Sequence, residues 1–421
     1  MRRRQLLQSA TALTALPALA SLPARAAISN PVPLGSVLIV GGGMAGATLA
    51  KYLRLWSNRR IAVTLVERDP VYTSHIMSSL VLTGQRTMDS QRFSYGALVK
   101  THGVQLVQAQ VETIDPERPG VQLTDGRWLT ADRVVLAPGM AFDAVQGLTD
   151  PLAMPHAWKA GEQTQALAAQ LKALRPGGRV VLTIPKVPYR CPPGPYERAC
   201  LLADWLRQNK PGSRLAVLDA NADFVVERDN FSRAFFGLHA GVIDYRPNAE
   251  VQSVDLATRT VYTPLGPVQA EVVNLIPRQR APELLGRAGL LNSPDGRFAA
   301  VDVLSYASTR APKVHVLGDA SHTTQPKAGH IANQEAKVCA DALVRSFLGL
   351  APDPAPVTNS ACFSTITQRQ ASWLNAVFQY DAANRVMVPV ADAGGASEGW
   401  SGDHFEDMGT WFRALMADSF S

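Results

Sequence analysis

The stretch YRCPPGPYERAC, Tyr189 to Cys200, sets a cysteine among three prolines and places a carboxylate, Glu197, six residues beyond it. A cysteine sulfur can take part in thiol–disulfide exchange, and a carboxyl group within reach can take or give the proton. The chain has three other cysteines, Cys200, Cys339 and Cys362. Four allow three full pairings. Cys200 and Cys339 fall on amphipathic helical patterns, Ala199-Cys-Leu-Leu-Ala-Asp-Trp205 and Ala336-Lys-Val-Cys-Ala-Asp-Ala342, and read as buried, inert thiols. Cys191 and Cys362 fall in loop or strand contexts far apart in sequence. A bond between them is either a structural staple or a redox pair, and spacing alone does not choose. Glu197 is either an acid/base group or a first-turn helix carboxylate facing the helix dipole.

The elements that must position these groups begin with Val37-Leu-Ile-Val40, the run Gly41-Gly-Gly-Met-Ala-Gly46 and a helical pattern from Ala47 to Trp56. A second strand, Ile61 to Val66, ends in Glu67. This is a strand, glycine turn and helix followed by an acidic residue, the plan of a dinucleotide site. Gly41 allows the tight turn, Gly43 lets backbone amides approach a pyrophosphate, and Gly46 lets helix and strand pack closely. The helix N-terminus favours the anion and Glu67 accepts from the adenosine ribose. Val134-Val-Leu-Ala-Pro-Gly139 reads as a strand entering a tight turn, and Val314-His-Val-Leu-Gly318-Asp319 as a strand ending in a carboxylate. Asp319 is either a partner for the ribityl chain of a flavin or a cap for the following helix.

Between these segments lies a second α/β pattern. It has a helical stretch Ala160 to Leu174, a strand Arg179 to Ile184, a helix Tyr196 to Gln208 and a strand Arg214 to Leu218. A nicotinamide reductase would carry a glycine-rich phosphate loop after the 179–184 strand. Here the loop is Pro185-Lys-Val-Pro-Tyr-Arg-Cys-Pro-Pro-Gly-Pro195. Proline removes amide donors and fixes φ, so this loop cannot supply the row of N–H groups a pyrophosphate needs. The reductant must enter another way, and Cys191 marks where.

The fold class expected is α/β: two Rossmann-like dinucleotide-binding domains and a C-terminal α+β domain. The FAD domain is discontinuous, 35–150 and 276–350. The NAD-like domain, 151–275, is inserted in it and carries the cysteine loop. The C-terminal domain, 357–421, follows the proline-rich linker Ala351 to Pro356. Residues 1–26 have a basic start, an apolar run and an A-x-A ending, the plan of a secretory signal, and Arg3-Arg4-Gln-Leu-Leu7 has the twin-arginine form. A general secretion signal whose arginines merely supply charge is the other reading. The formal net charge is +6, and those 26 residues hold four arginines and no acid, which leaves +2 for the remainder. That is too little to argue for a nucleic acid partner. No stretch reaches the ~18 apolar residues of a membrane span. The mature protein is expected in the periplasm, where disulfides persist.

The proline–cysteine motif, the glycine turn, Pro326-Lys327-Ala-Gly-His330 after Gly318-Asp319, and Cys362 near the start of the last segment together resemble one family. It is the flavoprotein subunit of flavocytochrome c sulfide dehydrogenase, within the glutathione reductase superfamily. The resemblance spans essentially the whole chain after the signal, including Glu406 to Phe420. It implies FAD in the first site. It also implies a redox-active Cys191–Cys362 disulfide over the flavin, Glu197 as acid/base, oxidation of sulfide to zero-valent sulfur or polysulfide, and electrons passed to a c-type cytochrome. Lys327 would place positive charge near the flavin pyrimidine ring; a solvated loop lysine is the alternative. No C-x-x-C-H occurs, so any haem belongs to a separate cytochrome, bound or transient, and no metal is assigned.

In one respect the chain departs from the family. Its flavin is commonly tethered to a cysteine after the ribose-binding acid, and Val71-Tyr-Thr-Ser-His-Ile-Met-Ser-Ser79 has none. A thioether is excluded and the flavin is expected to be noncovalent, with His75 at or beside the tether position. Two other functions stay open: a sulfide:quinone oxidoreductase, and a non-enzymatic flavin-binding accessory protein that works by thiol exchange.

Overall fold

The computed structural model describes residues 32–421, so the expected export signal of residues 1–26 lies outside the described residues. Apolar runs with both faces covered become parallel strands. β1 (Gly35–Val40), β2 (Ile61–Glu67), β3 (Gln105–Gln108) and β4 (Arg133–Leu136) do so here, and the chain returns after a long excursion to add β9 (Val314–Val316). The parallel order is β9-β4-β1-β2-β3, and three short strands, Ala307–Ser308, Ala299–Asp302 and Ser321–His322, extend the β9 edge to eight. Registers such as Val37↔Val63 and Val37↔Arg133 put β1 at the centre.

The excursion builds a second parallel sheet. β5 (Arg179–Ile184), β6 (Arg214–Asp219), β7 (Ile243–Arg246) and β8 (Val272–Asn274) lie in the order β7-β6-β5-β8. α2 (Glu162–Ala173) precedes β5, and α3 (Gly194–Asn209) follows it. Then α4 (Gly329–Phe347) leads to an antiparallel meander of β10 (Val357–Thr365), β11 (Ala371–Asp381) and β12 (Val386–Pro389), closed by α5 (Gly402–Phe420).

α1 (Met44–Trp56) packs directly on β1 because Gly46 has no side chain: a Cβ there would lie 1.8 Å from the Gly41 carbonyl oxygen. The contacts that α5 (Gly402–Phe420) makes beside it are equally specific. Asp418 of α5 accepts from Tyr52 Oη at 2.5 Å and Asn333 Nδ2 at 2.7 Å and pairs with Lys337 at 2.8 Å. Thr48 Oγ1 and Ser419 Oγ lie 2.8 Å apart, and Phe420 stacks on Tyr72 with ring centres 4.8 Å apart. α5 therefore spends its apolar face, Met408, Phe412, Leu415, Met416 and Phe420, inside the protein. No helix among the described residues is long and apolar enough to cross a membrane.

Gly46→Ala should cost about 1–3 kcal/mol through overpacking against backbone that cannot move aside. It should also lower flavin retention. Urea unfolding and the flavin-to-protein absorbance ratio read both effects, and wild-type values for each would contradict the packing argument.

Candidate active site

The first site is built at the β1–α1 turn. Gly41 sits at φ +99°, and Gly42 N–H donates to Glu67 Oε2 at 2.6 Å, which holds the acid at the end of β2 in place. Above Gly43 the space is open; a Cβ would meet nothing nearer than Tyr72 at 3.9 Å. Gly139 turns at φ +72° after β4. Gly318, at φ +68°, donates its N–H to Glu335 at 2.7 Å, and Asp319 follows in a single 3₁₀ turn. The long helix starts only at Gly329, so Asp319 does not cap it. An open glycine cradle, an acid braced for ribose and a buried carboxylate at a strand end fit FAD. Gly41, Gly43, Gly46 and Glu67 would hold its adenylate and pyrophosphate, and Asp319 its ribityl chain.

Lys327 is not a solvated loop lysine. Its ammonium donates to the carbonyls of Asp319 at 2.9 Å and Ser321 at 2.7 Å and lies 3.9 Å over the Phe298 ring. It is a bound cation beneath the Gly318–Ala320 turn. Glu335, buried beside it, is raised to about 8 by burial.

Cys191, Cys362 and Glu197 come together. They line one cavity with His75, Trp158, Arg190, Arg198, His330 and Trp411 among its walls. The Cys191 loop is pinned to the first domain by a hydrogen bond from Cys191 N–H to the Lys327 carbonyl, 2.7 Å, and Gly194 N–H donates to Cys191 O at 2.8 Å. Cys191 adopts φ +58°, a left-handed turn just before α3. Gly194 has to be glycine: a Cβ there would lie 2.9 Å from Cys191 Sγ and 2.8 Å from the Trp158 ring. Cys362 comes from β10, opposite Leu374 of β11, and its neighbour Ala361 donates N–H to His330 Nδ1 at 2.9 Å. No disulfide links the two; each is a free thiol partly open to the cavity. Cys200 and Cys339 are fully buried on α3 and α4.

Burial dominates the titration of the site. It pushes the Cys191 thiol well up, helped by Cys362 and Glu197 and opposed by Arg190. Burial, with the nearby Glu227, pushes Cys362 up to about 12. Glu197 rises to about 7 through burial, against a hydrogen bond from Thr365 Oγ1 at 2.9 Å. A carboxyl group poised there exchanges protons at neutral pH. His75 accepts from Ala160 N–H through Nδ1 at 2.8 Å, and burial holds it neutral.

Sequence reasoning missed Arg198, Trp158, Arg190, His330 and Trp411. Arg190, Arg198 and His330 stood inside quoted motifs without a role assigned to them; Trp158 and Trp411 carried no local signal, because the segment before α2 and α5 bring them in from a distance. Opposite this cavity the second domain has closed its nucleotide position. Asp219, the acid at the end of β6, accepts from Tyr196 Oη at 2.7 Å, Tyr245 Oη at 2.9 Å and Asn221 N–H at 2.8 Å and is fully buried. It has no face left for a ribose. Among the described residues no cluster of His, Cys, Asp and Glu could hold a metal ion.

The raised Glu197 has a consequence for stability. Its folded pKa lies above the unfolded 4.5, so its contribution is complete below 4.5 and is lost as pH rises through about 7. Between pH 5 and 8 the wild type should lose roughly 2–3 kcal/mol more than Glu197→Gln. Denaturant titrations at the two pH values measure the difference; the same loss in both proteins would mean that the carboxyl ionises freely.

Comparison with known proteins matches three stretches of the chain. Residues 35–182 match the pyridine nucleotide-disulphide oxidoreductase family. Residues 164–277 match the central part of the sulfide dehydrogenase [flavocytochrome c] flavoprotein chain, and 354–420 the flavocytochrome c sulphide dehydrogenase flavin-binding family. Among curated relatives, the mitochondrial sulfide:quinone oxidoreductase of Mus musculus is 22% identical over 71% of this chain and 68% of its own. That of Dictyostelium discoideum is 24% identical over 75% and 71%. Among solved structures, the sulfide:quinone oxidoreductase of Aquifex aeolicus superposes with a TM-score of 0.75 at 16% identity, covering 91% of each chain. A NAD-dependent persulfide reductase from A. fulgidus gives 0.61 at 16% identity over 90% and 77%. The chain thus carries stretches similar to the central and the flavin-binding parts of the flavocytochrome c sulfide dehydrogenase flavoprotein chain, together with one similar to the pyridine nucleotide-disulphide oxidoreductases.

Proposed function

We propose that this protein is a periplasmic, FAD-dependent sulfide dehydrogenase that passes its electrons to a c-type cytochrome. One observation carries the reading: Cys191, Cys362 and Glu197, from three separate elements, line a single cavity together with His75 and the start of α4 from the first domain. The oxidised resting enzyme holds Cys191 and Cys362 as a disulfide. Hydrosulfide attacks one of the two sulfurs; a new S–S bond forms, the old one breaks, and the products are a cysteine persulfide and a cysteine thiolate. Glu197 receives the proton of the entering sulfide. Over the whole cycle one hydrosulfide becomes one zero-valent sulfur, one proton and two electrons. FAD, held noncovalently by the first domain, supplies the two-electron acceptor, and the haem protein takes the electrons singly.

A quinone as acceptor is the second reading, favoured by the relatives' own activities and by the Aquifex aeolicus fold match. The packing of α5 argues against it. A helix whose apolar residues are committed to α1 and the Tyr72–Phe93 ring cluster has none to lay on a lipid surface.

Anaerobic addition of sulfide should bleach the flavin of the FAD-loaded wild type, and neither Cys191→Ser nor Cys362→Ser should bleach at a comparable rate. Bleaching at full rate in Cys191→Ser would reduce the cysteine to a structural role. Glu197→Gln should lower kcat/KM by about 10²–10⁴-fold, as loss of an acid/base group does.

The acceptor is settled by two assays together. The protein should stay with the soluble fraction in liposome flotation and reduce cytochrome c. Flotation with the vesicles together with quinone reduction would instead establish the second reading.

A further inference from the structure

A buried cation in the cavity makes no direct ion pair among the described residues, the nearest acidic influence on it being its chain neighbour Glu197, and the mechanism above does not use it. Arg198, 1% exposed, donates Nε–H to Ser79 Oγ at 3.2 Å. Its Nη1 donates to His156 O and Asn274 Oδ1, both at 3.1 Å, and its Nη2 to Ala157 O at 2.9 Å. Every one of these acceptors is neutral. The guanidinium also lies 4.6 Å from the Trp158 ring centre. Four of its five N–H groups are thus used, and the fifth, on Nη2, meets no acceptor among the described residues. The other arginine of the cavity, Arg190, is offset by Asp319 at 3.6 Å. A second donor in the same cavity is also unmet: Trp411 Nε1 is buried without a partner.

We propose that Arg198 is an anion-holding site, whose spare N–H and fixed charge bind hydrosulfide, or another small monoanion of similar size, in the cavity beside Cys191. The need follows from charge balance. In the exchange step hydrosulfide brings one negative charge, which passes to the released thiolate, and a second forms on the persulfide sulfur when Glu197 takes its proton. Both cysteines sit where burial disfavours an anion. A cation bound only to neutral groups stabilises that charge in every state of the step, and because it is pinned by four hydrogen bonds it does so without reorganising. Arginine suits this place because it stays charged when buried. The choice of hydrosulfide rests on the function proposed above; the anion site itself does not.

Two measurements test it. In crystals of the FAD-loaded protein soaked in sodium bromide, anomalous scattering should place a bromide within hydrogen-bond reach of Arg198 Nη2. Bromide on the surface with none in the cavity would overturn the proposal. In solution, thiocyanate should perturb the flavin spectrum with a saturating Kd. Arg198→Met should raise that Kd at least tenfold, and Arg198→Lys, which keeps the charge, should restore most of the affinity. An unchanged Kd in a folded, flavin-loaded Arg198→Met also overturns the site. Should that variant lose its flavin, the bromide position decides alone. Neither probe anion has to give up electrons for its binding to be seen. A protein that binds them at Arg198 but is not bleached by sulfide keeps the anion site and loses the proposed substrate.

Discussion

The buried guanidinium of Arg198 is the constraint on which the rest of the site depends. Its hydrogen bonds reach Ser79 in the first domain, His156 and Ala157 in the crossing segment, and Asn274 on β8 of the second sheet. A buried charge needs acceptors for most of its donors, and four of the five N–H groups find them only where these three segments present their oxygens together. That arrangement also fixes the start of α3, and with it Glu197 and the Cys191 turn. The same interaction that holds the domains together therefore sets the polarity of the cavity between them.

The second domain keeps the outline of a dinucleotide-binding unit while its chemistry has moved elsewhere. β5 to β8 run parallel in the usual way, yet the loop after β5 has proline where amides would face a phosphate. The acid after β6 is sealed under two tyrosine hydroxyls, and the rings of Phe224 and Tyr245 stack at 4.7 Å beside it. What the loop has acquired is a left-handed cysteine held against the first domain through the Lys327 carbonyl. A soluble carrier site has been exchanged for a fixed sulfur close to the neighbouring domain.

The C-terminal segment supplies what the two Rossmann units lack. β10 brings Cys362 to the cavity and Thr365 to the Glu197 carboxyl, while Ser364 and Ser372 donate to the buried Glu227 at 2.8 Å and 2.7 Å. α5 then crosses back to α1, and Trp411 lines the cavity on the way. A carboxylate with two hydroxyl donors has a firm place in a low dielectric, and its field is one reason the Cys362 thiol is held so high.

The sequence by itself determined the elements and the local chemistry. The glycine spacing Gly41, Gly43 and Gly46, the acid at Glu67 and the strand ending in Gly318-Asp319 are signals of backbone conformation and short-range geometry, and neighbouring residues suffice to produce them. The run of prolines around Cys191 likewise ruled out a phosphate loop without reference to anything distant. Only the tertiary structure decided which side chains meet. Lys327 is held by two carbonyls and the Phe298 ring, Arg198 became the junction of three segments, and Trp158, His330 and Trp411 entered the cavity wall. These are partnerships across tens to hundreds of residues. No local periodicity records them, because burial and the satisfaction of polar groups are settled only when the sheets and helices pack.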